Sequence, residues 1–502
     1  MALVKRYGLP TTWLLQYDAL AEGPFVELLK REMPSTHEVG LWHEMNRPLV
    51  DAAGVRWRGR KDWSWDYHVP SAYTMGYTPA ERRALADTAI AGFQKVWGRK
   101  PRTVGSWLLD SLTMTRMSEE HGVGIFGLCR EQVSTDGFTV WGGPIGGYYP
   151  SRTNSFSPAL ARAHQIDTPV VRLLGQDPVY YYDREGSGAR PDTMEPVWPS
   201  GQDPTFVRRF LEMIGEGPVG EFSYVQLGQE NSFQWPPMKD AYPMQMAALA
   251  RAREEGHLVV ETMGETGGRF HDAFVATPAQ AQVMLADPFD RRDPGERTIW
   301  YQSRYYRANL HLRGRDCSLR DIVVYSDRFP EPFLETPTSA HGIELRLPAV
   351  LDGYHWSEAS VQAGGPEAAG RRAQGRFVLA VADGTRTRLD VEGSPEVRQR
   401  GIGLEVDLRS SRGPRLQLVF GERTVQARVS GGPPGARLLL ELEWVRQKSA
   451  LIRVDPDCLG YRFRGFDYAV RVTRGRARAS AAGVTIEGAG SRGLELLLAQ
   501  PA

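Results

Sequence analysis

At 502 residues the chain exceeds one ordinary core, so two or three domains are expected, and neither disulfides nor a structural metal is needed to hold them together. Its 61 basic and 60 acidic residues leave a net charge of +1, which excludes the electrostatic footprint of a nucleic-acid or anionic-membrane partner and favours a neutral ligand. The three cysteines, Cys129, Cys317 and Cys458, are too scattered for a disulfide framework or a zinc knuckle, and no run reaches the roughly 18 apolar residues of a membrane-spanning helix.

The first residues, Met-Ala-Leu-Val-Lys-Arg-Tyr-Gly, lack an apolar targeting core, so a cytoplasmic protein is the simplest expectation. A secreted or periplasmic protein is the alternative if a leader was trimmed. From residue 10 to about 275, short apolar runs alternate with helix-patterned stretches, the sequence form of repeated βα units and a parallel sheet. The runs cover 12–18, 38–44, 104–110, 124–131, 169–177, 222–230 and 258–265. Between the second and third, Thr78-Pro79-Ala80-Glu81 forms a capping box with Pro at the first helical position. Leu85, Ala89, Phe93 and Val96 mark one face of that helix, and Gly98 stops it. Ser157-Pro158, Asp203-Pro204 and Thr277-Pro278-Ala279-Gln280 repeat the helix-start signal. From about Thr298 the texture changes to alternating strands separated by Gly and Asp turns, with runs at 401–408, 415–420, 437–446, 468–473 and 492–499. Residues 357–375, rich in Ala, Gly and Glu, read as a loop or linker. The expectation is a parallel (β/α)7-type barrel over 1–295 followed by an antiparallel β-sandwich over 296–502.

Each barrel run ends in acid: Asp18, Glu44, Asp110, Glu131, Asp177, Glu230, and the pair Glu261 and Glu265. Active sites of parallel barrels and open α/β sheets gather at the carboxyl ends of the strands, so these acids predict one acidic mouth. Taken singly, each acid is as readily a loop start or a helix cap.

The segment His37-Glu-Val-Gly-Leu-Trp-His43-Glu44, the helix beginning Tyr77-Thr-Pro-Ala-Glu-Arg-Arg, and Phe93-Gln-Lys-Val-Trp-Gly-Arg-Lys-Pro101 before the next strand resemble the polysaccharide deacetylase barrels and their glycosidase relatives over about residues 12–275. The resemblance implies a seven-stranded (β/α) barrel acting on carbohydrate. Its deacetylase branch holds a metal with an acid on the first strand and two histidines spaced H-x-x-x-H on the second. Asp18 and His43 match two of those positions, but Arg47 occupies the third, and a guanidinium does not ligate a divalent ion. In the glycosidase branch the nucleophile stands at the end of the fourth strand, which by strand count is Glu131, beside Arg130.

Glycoside cleavage needs two carboxylates, about 5 Å apart when one is a nucleophile and farther apart when a water attacks. Glu131 is the candidate nucleophile or general base. Glu230, ending an apolar run where burial raises a carboxyl pKa, is the candidate proton donor. Asp177, Glu261 and Glu265 are rival donors or substrate contacts. Asp18, His43 and Asp110 suit hydroxyl binding. Eleven of the thirteen tryptophans lie in the first 300 residues, and Trp42 and Trp141 among them supply rings for sugar C–H faces. The patch Trp57-Arg58-Gly-Arg60-Lys61-Asp62-Trp63-Ser-Trp65 suits stacked nucleic-acid bases, an acidic sugar, or the rim of the long loop after the second strand, and the near-zero net charge disfavours nucleic acid. The reading is a glycoside hydrolase with a carbohydrate substrate, no required cofactor, no nucleic-acid or membrane partner, and no specified oligomeric state. A divalent metal near Asp18 and His43, serving deacetylation, and a non-catalytic glycan-binding barrel are the alternatives.

Overall fold

Five of the seven apolar runs pair as expected. The computed structural model describes the chain except residues 130, 136–137, 174–176, 180–192, 220–221, 229–232, 286–294, 355–373, 445–449, 482 and 501–502. Strands β1 (Thr12–Leu15), β2 (Glu38–Trp42), β3 (Thr103–Gly105) and β4 (Ile125–Cys129) lie side by side and parallel. The chain then makes β5 (Phe138–Trp141) and returns as β6 (Val170–Leu173), which pairs with β4 and completes a sheet ordered β1-β2-β3-β4-β6. Val39, Leu41, Val104, Phe126, Leu128 and Val170 are all fully buried, as in parallel sheets covered on both faces.

Helices lie between these strands. They include α1 (Tyr17–Ala21), α2 (Arg47–Ala52) and α3 (Pro79–Trp97). In α3 the expected capping box forms between Thr78 and Glu81, and Gly98 ends the helix at φ +69°, where a Cβ would be strained. Leu85, Ala89 and Phe93 are the buried face; Val96 is only partly covered. Helix α4 (Ser111–Glu119) is capped by Asp110, and α5 (Pro204–Glu216) by Asp203. A last helix, α6 (Met263–Ala273), crosses beneath the amino ends of the strands: the Met263 N–H donates to Thr12 Oγ1 and the Gly264 N–H to Glu38 Oε1, each at 2.8 Å.

Three expectations need correction. Residues 222–228 and 258–262 form no ladder, so among the described residues the parallel sheet has five strands rather than the expected seven. The run at 258–265 turns into α6 at Thr262, because Thr262 and Glu265 make a second capping box. The Ser157-Pro158 and Thr277-Pro278 signals open no helix. Pro158 ends the strand Asn154–Pro158 and Pro278 precedes β7 (Gln280–Leu285); proline is equally at home at a strand end.

The remainder is antiparallel. Strands β7, β8 (Arg297–Gln302), β9 (Tyr306–Arg313) and β10 (Asp316–Val324) are consecutive in a large sheet that continues through Gln374–Ala380, Arg437–Glu443, Gly483–Glu487 and Arg476–Ser480. A second sheet of eight strands runs from Glu392–Arg400 to Leu451–Asp455. Leu310, Leu319 and Leu440 from the first and Leu404, Leu418 and Leu496 from the second are fully buried in one apolar core. Most of the expected linker at 357–375 falls outside the described residues. Ladders cross the expected boundary at residue 295: β7 pairs with β8, and β11 (Ile343–Arg346) returns to pair in parallel with β5, Ile343 opposite Phe138.

Candidate active site

The sheet places its strand ends so that one carboxylate becomes a hub. After β2 the backbone stays in the ladder for one more residue, the His43 N–H donating to Gly105 O at 2.8 Å. This carries Glu44 to the carboxyl edge of the sheet. Its carboxylate accepts three N–H bonds of 2.9 Å: Gln16 Nε2 and Trp42 Nε1 at Oε2, and Trp65 Nε1 at Oε1. Gln16 follows β1 and Trp42 ends β2. Trp65 arrives on the loop after α2, which is pinned by an Asn46–Trp65 bridge and by Arg47 N donating to Ser64 O at 2.7 Å. Trp107, after β3, meets Trp42 edge-on with ring centroids 5.2 Å apart. Charge-assisted bonds of this kind are the stronger sort, at roughly 1.5–3 kcal/mol each. They fix the planes of two indoles around Glu44, which is 3% exposed, while all three tryptophans stay partly open to solvent.

Behind this edge lies a buried polar cluster. His43 is 1% exposed, and neither ring nitrogen has a hydrogen-bond partner among the described residues. Burial lowers its pKa to about 4 against the opposing pull of Asp110, so the ring is neutral. Asp110 caps α4 through Thr113 N (3.0 Å) and Thr113 Oγ1 (2.6 Å) and sits 3.3 Å from the buried Arg82 Nη1. Glu331 arrives from the antiparallel half and accepts from Ser111 N at 3.0 Å and Ser155 N at 2.8 Å. Burial first, and the negative charge of Asp110 second, push its pKa up to about 8. Glu331 was not among the residues singled out from the sequence. Its only signal there is an acid between two prolines, Pro330-Glu331-Pro332, in a region read as sandwich.

The other expected site residues scatter. Glu131 follows β4 as expected but is 3% exposed and faces inward, where Oε1 meets the Arg307 guanidinium and the Gly142 N–H (3.2 Å). Arg307 is shared with Asp321 (Nε–Oδ1 3.0 Å). Asp177 is fully buried and accepts from Val179 N, Trp300 Nε1 and the Thr298 hydroxyl, tying β8 to the amino-terminal half. Trp141 ends β5 and is 3% exposed, packed on Tyr354 with centroids 4.0 Å apart, so it offers no free face. Asp18 lies in the first turn of α1 and accepts from Ala19 N. Glu261 meets Thr266 Oγ1 and Arg269, and Glu265 caps α6. Thus Trp42, His43 and Asp110 come together near Glu44, whereas Glu131, Trp141, Asp177, Glu261 and Glu265 serve packing and capping. Arg130 and Glu230 lie outside the described residues.

A metal of the deacetylase kind does not fit the residues present. Arg47 stands where a second histidine would be needed, its side chain directed to Lys61 O (2.8 Å) and Asp51 (3.4 Å). Among the described residues no three His, Cys, Asp or Glu side chains are grouped closely enough to hold an ion. A cavity of about 570 Å³ opens at the opposite edge of the sheet, lined by Arg102, Gly124, Thr168 and glycines of α6. It has no aromatic lining, and chemistry on such sheets gathers at the carboxyl edge.

No family model matches the sequence, and neither does any curated protein. Solved structures do match. A chain from Parabacteroides distasonis, provisionally assigned as a glycoside hydrolase/deacetylase, superimposes with a TM-score of 0.51 at 14% identity, over 69% of this chain and 82% of that one. A provisionally assigned polysaccharide deacetylase from Mycobacterium smegmatis gives 0.31 at 13% identity over 54% and 75%, too low a score to carry an argument. At 14% identity the first likeness is one of fold: this chain shares its architecture with a structural neighbour from the glycoside hydrolase/deacetylase class.

Proposed function

We propose that this chain is a carbohydrate-acting hydrolase, and within that class a glycoside hydrolase, whose saccharide lies over Trp42, Trp65 and Trp107 at the carboxyl edge of the parallel sheet. The observation that carries the reading is the Glu44 hub. Two indole N–H groups point into one carboxylate, so the ring faces are set in advance for the C–H faces of a sugar. Glu44 then lies beneath the bound sugar, where its charge stabilises the oxocarbenium-like positive charge of glycoside cleavage. Glu230 remains the proton donor chosen from sequence position. The neighbour's fold is compatible with deacetylation as well, but Arg47 in the place of the second histidine favours the carboxylate chemistry over the metal-assisted one.

The test is a release assay on a panel of glycans and aryl glycosides with and without EDTA. Sugar release that persists in EDTA, with Glu44→Gln lowering kcat/KM by about 100-fold or more, is the expected result. Glu131→Gln is expected to act on stability instead, by about 3–5 kcal/mol, because it strips one partner from a buried arginine. Acetate as the sole product, abolished by EDTA, would replace the glycosidase with a deacetylase. Glycan binding without turnover would leave only a lectin-like barrel.

A further inference from the structure

The loop after α2 carries a second set of rings beside the Glu44 site. Trp63 is 47% exposed and Tyr67 38% exposed, and exposed aromatic surface of that size is informative where it clusters. These rings are held firmly. Asp66, 1% exposed, accepts from Arg60 N (2.9 Å), Arg60 Nε (2.9 Å) and Arg60 Nη2 (3.2 Å), and lies 2.9 Å from His68 Nδ1. The guanidinium so fixed sits 3.2 Å from the Trp63 ring centroid and 5.1 Å from that of Tyr67. Trp57 Nε1 donates to Arg60 O at 3.1 Å, and its ring lies so close over Gly59 that a Cβ there would come within 2.2 Å. One buried carboxylate therefore orders an arginine, and the arginine orders two rings.

The rings also continue the site. Trp65 donates to Glu44, and its ring lies 6.3 Å from Tyr67; Tyr67 is 4.5 Å from His68, and His68 is 4.2 Å from His341. Both arginines of the loop are matched by acids, Arg58 with Glu81 and Arg60 with Asp66. A surface of ring faces whose cations are already paired suits an uncharged polymer better than phosphate or sulfate.

We propose that the 57–68 loop is an outer subsite for the remote sugar rings of an extended, uncharged glycan strand whose inner rings lie over Trp42, Trp65 and Trp107. This rests on the saccharide reading of the Glu44 site and adds that the substrate is a long chain rather than a mono- or disaccharide. The test is affinity electrophoresis of the full chain in gels containing xylan, glucomannan, mixed-linkage glucan or, as a charged comparison, hyaluronan. Calorimetric titration follows with the disaccharide and hexasaccharide of the polymer that retards it. The Trp63→Ala/Tyr67→Ala double variant is expected to bind polymer and hexasaccharide at least ten-fold more weakly, with disaccharide affinity unchanged. Trp42→Ala is expected to weaken all three. Thermal unfolding confirms that the variants remain folded. Wild-type polymer affinity in the double variant, or stronger retardation by hyaluronan than by any neutral polymer, overturns the outer subsite and leaves the Glu44 reading standing. A wild-type chain that binds neither short nor long glycans removes both.

Discussion

His43 and Glu331 stand on opposite sides of the same electrostatic argument. His43 has a folded pKa of about 4, below its ordinary 6.5, so between those values the unfolded chain binds the extra proton. Its contribution is complete above pH 6.5 and is lost as pH falls toward 4, by roughly 3 kcal/mol. Glu331 is raised to about 8, so between pH 4.5 and 8 the folded chain holds the proton. Its contribution is complete below pH 4.5 and is lost as pH rises through 8. Urea midpoints from pH 4 to 9 should therefore show His43→Leu flattening the acid limb and Glu331→Gln the alkaline limb. An unchanged pH profile in either variant would contradict the burial assigned to it. Asp110 was legible because it ends an apolar run, and His43 because it stands in the His37–Glu44 segment that carries the family resemblance. Glu331 was not, because 220 residues separate it from the Ser111 N–H it receives. The hub itself was half legible: Glu44 reads as a strand-end acid, but its partner Trp65 sits in a loop without periodicity.

At the scale of elements, α6 shows how a helix can be mistaken for a strand. Residues 258–263 give an apolar run, while Gly264, Gly267 and Gly268 weaken helix propensity, so a strand was the natural reading; only the Thr262–Glu265 box pointed the other way. Packing explains two of the glycines. A Cβ on Gly267 would lie 2.7 Å from Ile125 Cβ and 2.9 Å from Gly124 O, and one on Gly264 would lie 2.4 Å from Glu38 Oε2. Gly268 has nothing within 4 Å. Gly267→Ala is therefore expected to destabilise by about 1–3 kcal/mol through overpacking. Gly268→Ala should stabilise by roughly 0.5–1 kcal/mol through helix propensity. Melting temperatures that move in the same direction would mean that α6 does not lie against β4 as described. The five ladder-forming runs were readable because Val, Ile, Leu and Phe fill them on both faces. The 222–228 stretch, Phe-Ser-Tyr-Val-Gln-Leu-Gly, carries more polar residues and forms no ladder among the described residues.

For the whole molecule, the two halves share more than a linker. Glu131 with Arg307, Asp177 with Trp300, Ser151 with Asp327 (2.9 Å), and Ser111 and Ser155 with Glu331 all join residues before 295 to residues after it, and every one of these carboxylates is buried. Pulling the halves apart would break these bonds together, and the Glu131–Arg307 ion pair among them is costly to separate while either partner stays buried. Calorimetry of the full chain should accordingly give a single endotherm; two well-separated ones would show independent halves. The parallel pairing of β11 with β5 carries this one step further. Ile343–Arg346 is made long after the segment it lies beside, so Phe138–Trp141 has only its hairpin partner Gln132–Thr135 on one side, and lacks its second neighbour until nearly 350 residues have been synthesised. The amino-terminal half is therefore expected to complete its packing only after that strand has emerged. A fragment ending at residue 295 should be a client of chaperones rather than a free enzyme, and supplying residues 296–502 in trans should rescue it.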